Sequence, residues 1–129
     1  MTPLESAAFW IGINAILLTY LSVRVGQARM KHSVLIGDGG NEAVLNAIRT
    51  QGNYIEYAPA VLVGLVALAL IGASSFVINV VGGVFSLARI CHLLGLGMGV
   101  WPTGRTVGAV LTMLSLIAVG GALIYYALT

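Results

Sequence analysis

The chain has 129 residues, of which 59% are hydrophobic and only 8% charged, with a formal net charge of +2. Soluble domains carry about 25% charged residues, and a domain of this size buries only about two thirds of the surface its unfolded chain exposes, so a soluble fold cannot hide this much apolar surface. The small positive charge without a basic cluster excludes nucleic-acid binding; the single cysteine, Cys91, excludes an intrachain disulfide and has no metal-ligand spacing around it, so no metal is expected.

Four hydrophobic stretches lie near the roughly 20 residues needed to cross a bilayer, and they predict an all-α integral membrane protein, an up-down bundle in one domain. The first covers about residues 7–27. Glu5 precedes it where a signal peptide would be basic, and no convincing cleavage site follows, so it reads as a retained helix. In the connection "RMKHSVLIGDGGNEAV", Gly37, Asp38, Gly39 and Gly40 read as a turn, Asn41 as a helix cap, and Glu42 as an acid facing the positive helix end. The second helix covers about 42–71 and runs through the short turn "GASS" into the third, about 76–99, so these two should form a tight antiparallel hairpin. Arg89 and His92 interrupt the third helix. "VWPTG" breaks the chain again, and Arg105 opens a fourth helix, about 105–128, with no charge beyond it.

The second helix carries an unusual face. At about 100° per residue, Arg49, Asn53 and Glu56 share one side, and polar groups on a membrane helix normally face a partner, a cavity or a ligand. Glu56 and Arg89 lie at similar depth from the "GASS" turn, within about one turn at ~1.5 Å per residue, so an ion pair between them is expected. Arg29, Arg49 and Arg105 remain as surplus cations, with Asn53 as a further donor, and such a group suits a carboxylate- or phosphate-bearing ligand. Arg24, Arg29, Lys31 and Arg49 flank the first connection and Arg105 the third, while the termini and "GASS" have no Lys or Arg. The positive-inside rule therefore places both termini outside and the polar group toward the cytoplasm.

These residues resemble the second-helix pattern of the MAPEG family, membrane-associated proteins in eicosanoid and glutathione metabolism. "RTQGNYIEYAP" supplies Arg49, Asn53, Glu56, Tyr57 and Pro59; "ARICHLLG" supplies the Arg-x-x-His pair Arg89 and His92 of the prostaglandin synthase branch. Arg105 falls where that branch has its catalytic arginine, Arg29 in "SVRVGQAR" lies near a family arginine, and "IGDGGNE" resembles the first loop of small bacterial members. The resemblance implies a homotrimer in the bacterial inner membrane, with glutathione as co-substrate in a cleft between subunits and a lipophilic small molecule or lipid arriving from the bilayer. It assigns Arg29, Arg49, Asn53, Glu56, Tyr57, Arg89 and His92 to glutathione and Arg105 to catalysis. Glutathione has two carboxylates and one ammonium, so it needs several cations and a carboxylate. A guanidinium beside its sulfur would favour the thiolate over the thiol, whose free pKa is about 8.5. The thiolate then attacks an electrophile or reduces a hydroperoxide.

The chain departs from the catalytic members at three places. Leu96 stands where characterised synthases have a glutathione-contacting tyrosine, Gly52 where the prostaglandin branch has another arginine, and Thr106 where it has a serine. The family also includes a member that binds lipid without chemistry, which keeps a non-catalytic lipid-binding or scaffold protein as the alternative. Trp10, Trp101, Tyr125 and Tyr126 read as interface anchors. Gly82, Gly83, Gly95, Gly97, Gly99, Gly120 and Gly121 read as sites of close helix packing.

Overall fold

A computed structural model describes all 129 residues, and it is entirely helical. The helices are α1 (Pro3–His32), α2 (Glu42–Leu70), α3 (Ser75–His92) and α4 (Gly104–Leu128), with a π-helical turn, Leu93–Gly97, extending α3. Each of the four spans is long and apolar enough to cross a membrane. Local chemistry fixes their ends. Thr2 and Glu5 form a capping box, the Glu5 amide donating to Thr2 Oγ1 (3.2 Å) and the Thr2 amide to Glu5 Oε2 (2.8 Å). α1 stops at Ser33, the one non-glycine residue with positive φ (56°). Asn41 caps α2, accepting from the Val44 amide at 3.1 Å, and Ser74 caps α3.

Regular α-helix in the third span ends sooner than the hydrophobic pattern predicts. After His92 the chain widens into the π-helical turn, and the amides of Val100 and Trp101 both donate to the Leu94 carbonyl as it reverses toward α4. Glycine makes this reversal possible. A methyl group at Gly95 would run into the Arg105 backbone nitrogen, and one at Gly108 would meet the Ala88 carbonyl oxygen at 2.5 Å.

α2 and α3 occupy the middle of the bundle. Each packs against the other three helices, whereas α1 and α4 do not touch. The turn joining α2 to α3 is short as expected; α2 lies chiefly on α1 and α3 on α4. The core gathers Tyr54, Val61, Leu65 and Leu68 of α2 with Ile78 and Phe85 of α3. In a bilayer the apolar effect does not drive helices together, so close packing and interhelical hydrogen bonds must. Gly64 receives Val119 and Gly82 receives Trp10. Trp10, expected at the interface, has a packing role: its ring lies on Gly82 and Gly83 and its Nε1 donates to Asn79 Oδ1 (2.9 Å). One sequence expectation fails here. Gly99, Gly120 and Gly121 mediate no helix packing within the chain, since all three face open space.

A polar network ties α1, α2 and α3 together within this core. Asn14 is fully buried; its Nδ2 donates to Ser86 Oγ (2.8 Å) and to the Trp10 carbonyl (2.9 Å), and its Oδ1 accepts from the Tyr54 hydroxyl (3.1 Å). Replacing Asn14 by Leu removes the side-chain bonds to Tyr54 and Ser86 together, leaving Tyr54 the backbone carbonyl of residue 14 (3.0 Å) and Ser86 the Gly82 carbonyl (2.8 Å), and should destabilise by about 1–2 kcal/mol, at the upper end for interhelical bonds in membranes. Tyr54→Phe, which removes one donor and leaves the Asn14–Ser86 bond, should cost less. Unfolding in mixed micelles measures both, and equal losses would mean that Asn14 does not join the three helices.

Candidate functional site

Arg89 is the most deeply buried charge in the chain, at 2% exposure. Its place near the end of α3 puts it between α2 and α4. Nη2 donates to Asn53 Oδ1 at 2.7 Å and Nη1 to Thr112 Oγ1 at 3.0 Å. The Thr112 hydroxyl in turn donates to the Gly108 carbonyl (2.7 Å), leaving its lone pairs for the guanidinium. The Arg89 guanidinium also lies 5.9 Å from the centre of the Tyr54 ring. One turn beyond Arg89, His92 is 3% exposed and packs on Gly108. Two buried donor or acceptor atoms, Arg89 Nε and His92 Nδ1, have no hydrogen-bond partner. Native interiors seldom leave such groups unmatched, and neither residue lines a cavity of the bundle.

The expected Glu56–Arg89 ion pair does not form. Depth was read correctly but rotation about the helix axis was not. Asn53 turns toward α3 and takes the guanidinium, while Glu56, further round the same face, is exposed. Arg49 is exposed as well, and Tyr57 is half-buried beside them. The face read from the sequence therefore straddles the boundary of the bundle, with one amide directed inward and two charges directed outward. Since Asn53 Oδ1 accepts from Arg89, its amide nitrogen remains free to donate.

Arg105 is exposed in the first turn of α4, held beside the π-helical turn by the close approach of Gly95. No side chain caps this helix end. A guanidinium at the positive end of a helix dipole makes a local field that favours anions. Arg29 is engaged elsewhere: its Nη1 donates to the carbonyls of Gly37 (2.8 Å) and Leu35 (3.4 Å), closing the connection after α1. Within the chain, then, Asn53, Arg89 and His92 come together, while Arg29, Arg49, Glu56 and Arg105 make no bond to them.

Thr112 completes the Arg89 cluster although sequence reasoning passed over it. The available signal was a hydroxyl in an otherwise apolar helix, four residues after Gly108. Leu96 and Gly97 line a cavity at the end of α1, and Gly52 has open space beside it, so neither supplies a polar side chain to the cluster.

A multi-pass helical membrane protein with a buried arginine shared among three helices is the class these observations define. The MAPEG family profile matches residues 7–125, and the chain belongs to that family. It is similar to the inner membrane protein YecN of Escherichia coli strains K12 and O6:H1, at 33% identity over 89 residues, which cover 69% of this chain and 68% of the relative. No solved structure matches it.

The cluster geometry makes a prediction about coupling. In a double-mutant cycle, Asn53→Leu and Arg89→Leu should be coupled by about 1.5–3 kcal/mol, the range for a hydrogen bond to a charged group. The corresponding cycle of Glu56→Gln with Arg89→Leu should give the smaller coupling. If the order reversed, the guanidinium would be answering to Glu56 after all.

Proposed function

We propose that the protein is a glutathione-dependent transferase or peroxidase of the bacterial inner membrane, acting on small lipophilic electrophiles in clefts between the subunits of a homotrimer, with the clefts open to the cytoplasm. The observation that carries this reading is the exposure of Arg49, Glu56 and Arg105 on membrane helices whose interior holds a guanidinium with only neutral hydrogen-bond partners. Hydrocarbon cannot satisfy exposed charges on membrane helices, and a facing subunit with a zwitterionic tripeptide between can. Arg49 with the amide nitrogen of Asn53 suits the carboxylates of glutathione, and Glu56 suits its ammonium. Arg29 and Tyr57 would reach the tripeptide across the interface, and the unmatched atoms of Arg89 and His92 would close the inner end of the cleft.

Arg105 is assigned to the sulfur. Positive charge from its side chain and from the uncapped end of α4 stabilises the thiolate, and the sulfur's lone pair forms the new bond to the electrophile as the leaving group departs. In a peroxidase cycle, the thiolate attacks the terminal hydroperoxide oxygen, the O–O bond breaks and the alcohol departs with a proton, and a second glutathione thiol displaces water from the resulting sulfenic acid to give the disulfide. No metal enters either step.

A second reading, a non-catalytic lipid-binding or scaffold protein, rests on an apolar groove of about 240 Å³ between α1 and α2, lined by Ile11, Leu18, Ile55, Pro59 and Leu62 among others. It also fits Leu96 and Gly52, which thin the donor set.

Calorimetry with detergent-solubilised protein separates the two. Saturable glutathione binding, with a trimer by cross-linking or native mass measurement, is expected; no binding at millimolar ligand would favour the scaffold. Arg105→Ala should leave glutathione affinity within a few fold, abolish the ultraviolet absorbance of the bound thiolate, and reduce turnover by about 10²–10³-fold. Asn53→Ala and Glu56→Gln should instead weaken binding. Unchanged turnover of Arg105→Ala with an aryl halide would remove Arg105 from the chemistry.

A further inference from the structure

A separate cavity of about 390 Å³ opens between α1, α2 and the π-helical turn, near the connection that follows α1. It shares no residue with the Arg89 cluster, nor does it include Arg29, Arg49, Glu56, Tyr57 or Arg105. Arg24, Gln27, Lys31 and His32 line it from α1 and Asn46 from α2, against a floor of Leu96, Gly97, Met98 and Gly99. The spacing of Arg24, Gln27 and Lys31 places all three on one stripe of α1. No carboxylate lines the cavity.

The donors are oriented by bonds of their own. Arg24 Nη2 donates to the Gly97 carbonyl at 2.9 Å and Nη1 to the Tyr20 hydroxyl at 3.3 Å, which leaves further guanidinium N–H groups unused. His32 is set by Asn41. The Asn41 Oδ1 caps α2, so the atom lying 3.1 Å from His32 Nδ1 is the amide nitrogen. An amide nitrogen can only donate; Nδ1 must therefore accept, and the ring proton resides on Nε2. His32 is thus a donor even when neutral. Lys31 is exposed beside it and adds an ammonium.

We infer that this cavity binds a phosphate-bearing anion. Two permanent cations, a histidine donor and two side-chain amides converge without any acid, and several acceptor oxygens on one centre answer such a donor set better than the two of a carboxylate. The volume falls in the lower part of the ~300–1,000 Å³ range of small-ligand sites, so it has room for a small organic substituent on the phosphate. Two sources share this chemistry: the headgroup of an anionic phospholipid and a soluble phosphomonoester.

The test uses the full-length protein in a neutral, phosphate-free detergent, titrated with inorganic phosphate, with glycerol phosphate and with short-chain phosphatidylglycerol, and followed by thermal stability and native mass spectrometry. Lys31→Glu should weaken binding by about tenfold or more, and Lys31→Arg should retain it, as expected for loss of one charge-assisted contact. Lys31 is exposed, so neither change disturbs packing. Arg24→Gln, which also loses the Gly97 clamp, serves as a second variant. Lysine-dependent binding of the lipid alone would identify a headgroup site, and of glycerol phosphate or inorganic phosphate a soluble ligand; either supports the inference. No saturable binding by the wild type, or equal binding by Lys31→Glu, would overturn it. Glutathione titration should respond to Arg49→Gln and not to Lys31→Glu, so failure here is distinct from failure of the glutathione reading.

Discussion

A guanidinium held at 2% exposure inside a membrane-spanning bundle constrains everything around it. Removing such a group from water costs several kcal/mol unless hydrogen bonds replace its hydration. Helix geometry decides who can supply them. Asn53 and Thr112 approach from opposite sides because α2 and α4 both pack on α3, and the glycines at positions 95, 104 and 108 let α4 and its preceding turn come close to the end of α3. Bulk at Gly108 would push Thr112 away from Arg89, so the small residues of α4 and the charge of α3 are parts of one arrangement. The break in regular helix after His92 belongs to it too, since a straight continuation would not return the chain to α4 at this point.

Much of this was legible in the sequence, and the reason is hydropathy. In a chain with ten charged residues among 129, every polar residue in an apolar run stands out, and the four spans and their connections follow from length and turn residues. Asn41 was readable as a cap because the rule is local. Arg89 and Asn53 were readable as important because polar groups in membrane helices rarely stand idle. What could not be read was rotation. Depth along a helix comes from counting residues, but which of Asn53 and Glu56 faces α3 depends on how α2 packs on α1, and that packing is set by Tyr54, Val61 and Leu65 meeting their neighbours. An error of about 60° in rotation was enough to exchange an amide for a carboxylate.

Side chains that bind one another across helices were hidden for the same reason. Asn14, Ser86 and Thr112 carry no charge and sit in apolar runs, so each alone looks like tolerated polarity. Their meaning lies in pairs separated by 23 or 72 residues in sequence, which only tertiary structure brings together. The packing role of Trp10 was hidden in the same way: its place near a span end points to the bilayer surface, and only the tertiary structure brings its ring onto Gly82 and Gly83.

The charges that remain unmatched carry the argument about assembly. Both hydrogen-bond acceptors of Arg89 are neutral, so its positive charge is hydrated by dipoles without being cancelled. Glu56, the carboxylate on the same stretch of α2, makes no ion pair with it and is exposed at the surface of the bundle, as are Arg49 and Arg105. Snorkelling can relieve a long arginine near a helix end, but a shorter glutamate further along the span has less reach to water. Glu56 is therefore the residue for which an isolated protomer in lipid is least adequate. Under the proposed function, a neighbouring subunit and the ammonium of a ligand in a cleft between subunits would relieve it together. On that proposal assembly would precede chemistry: Arg105 would have a sulfur to act on only after Glu56 and Arg49 have something to hold.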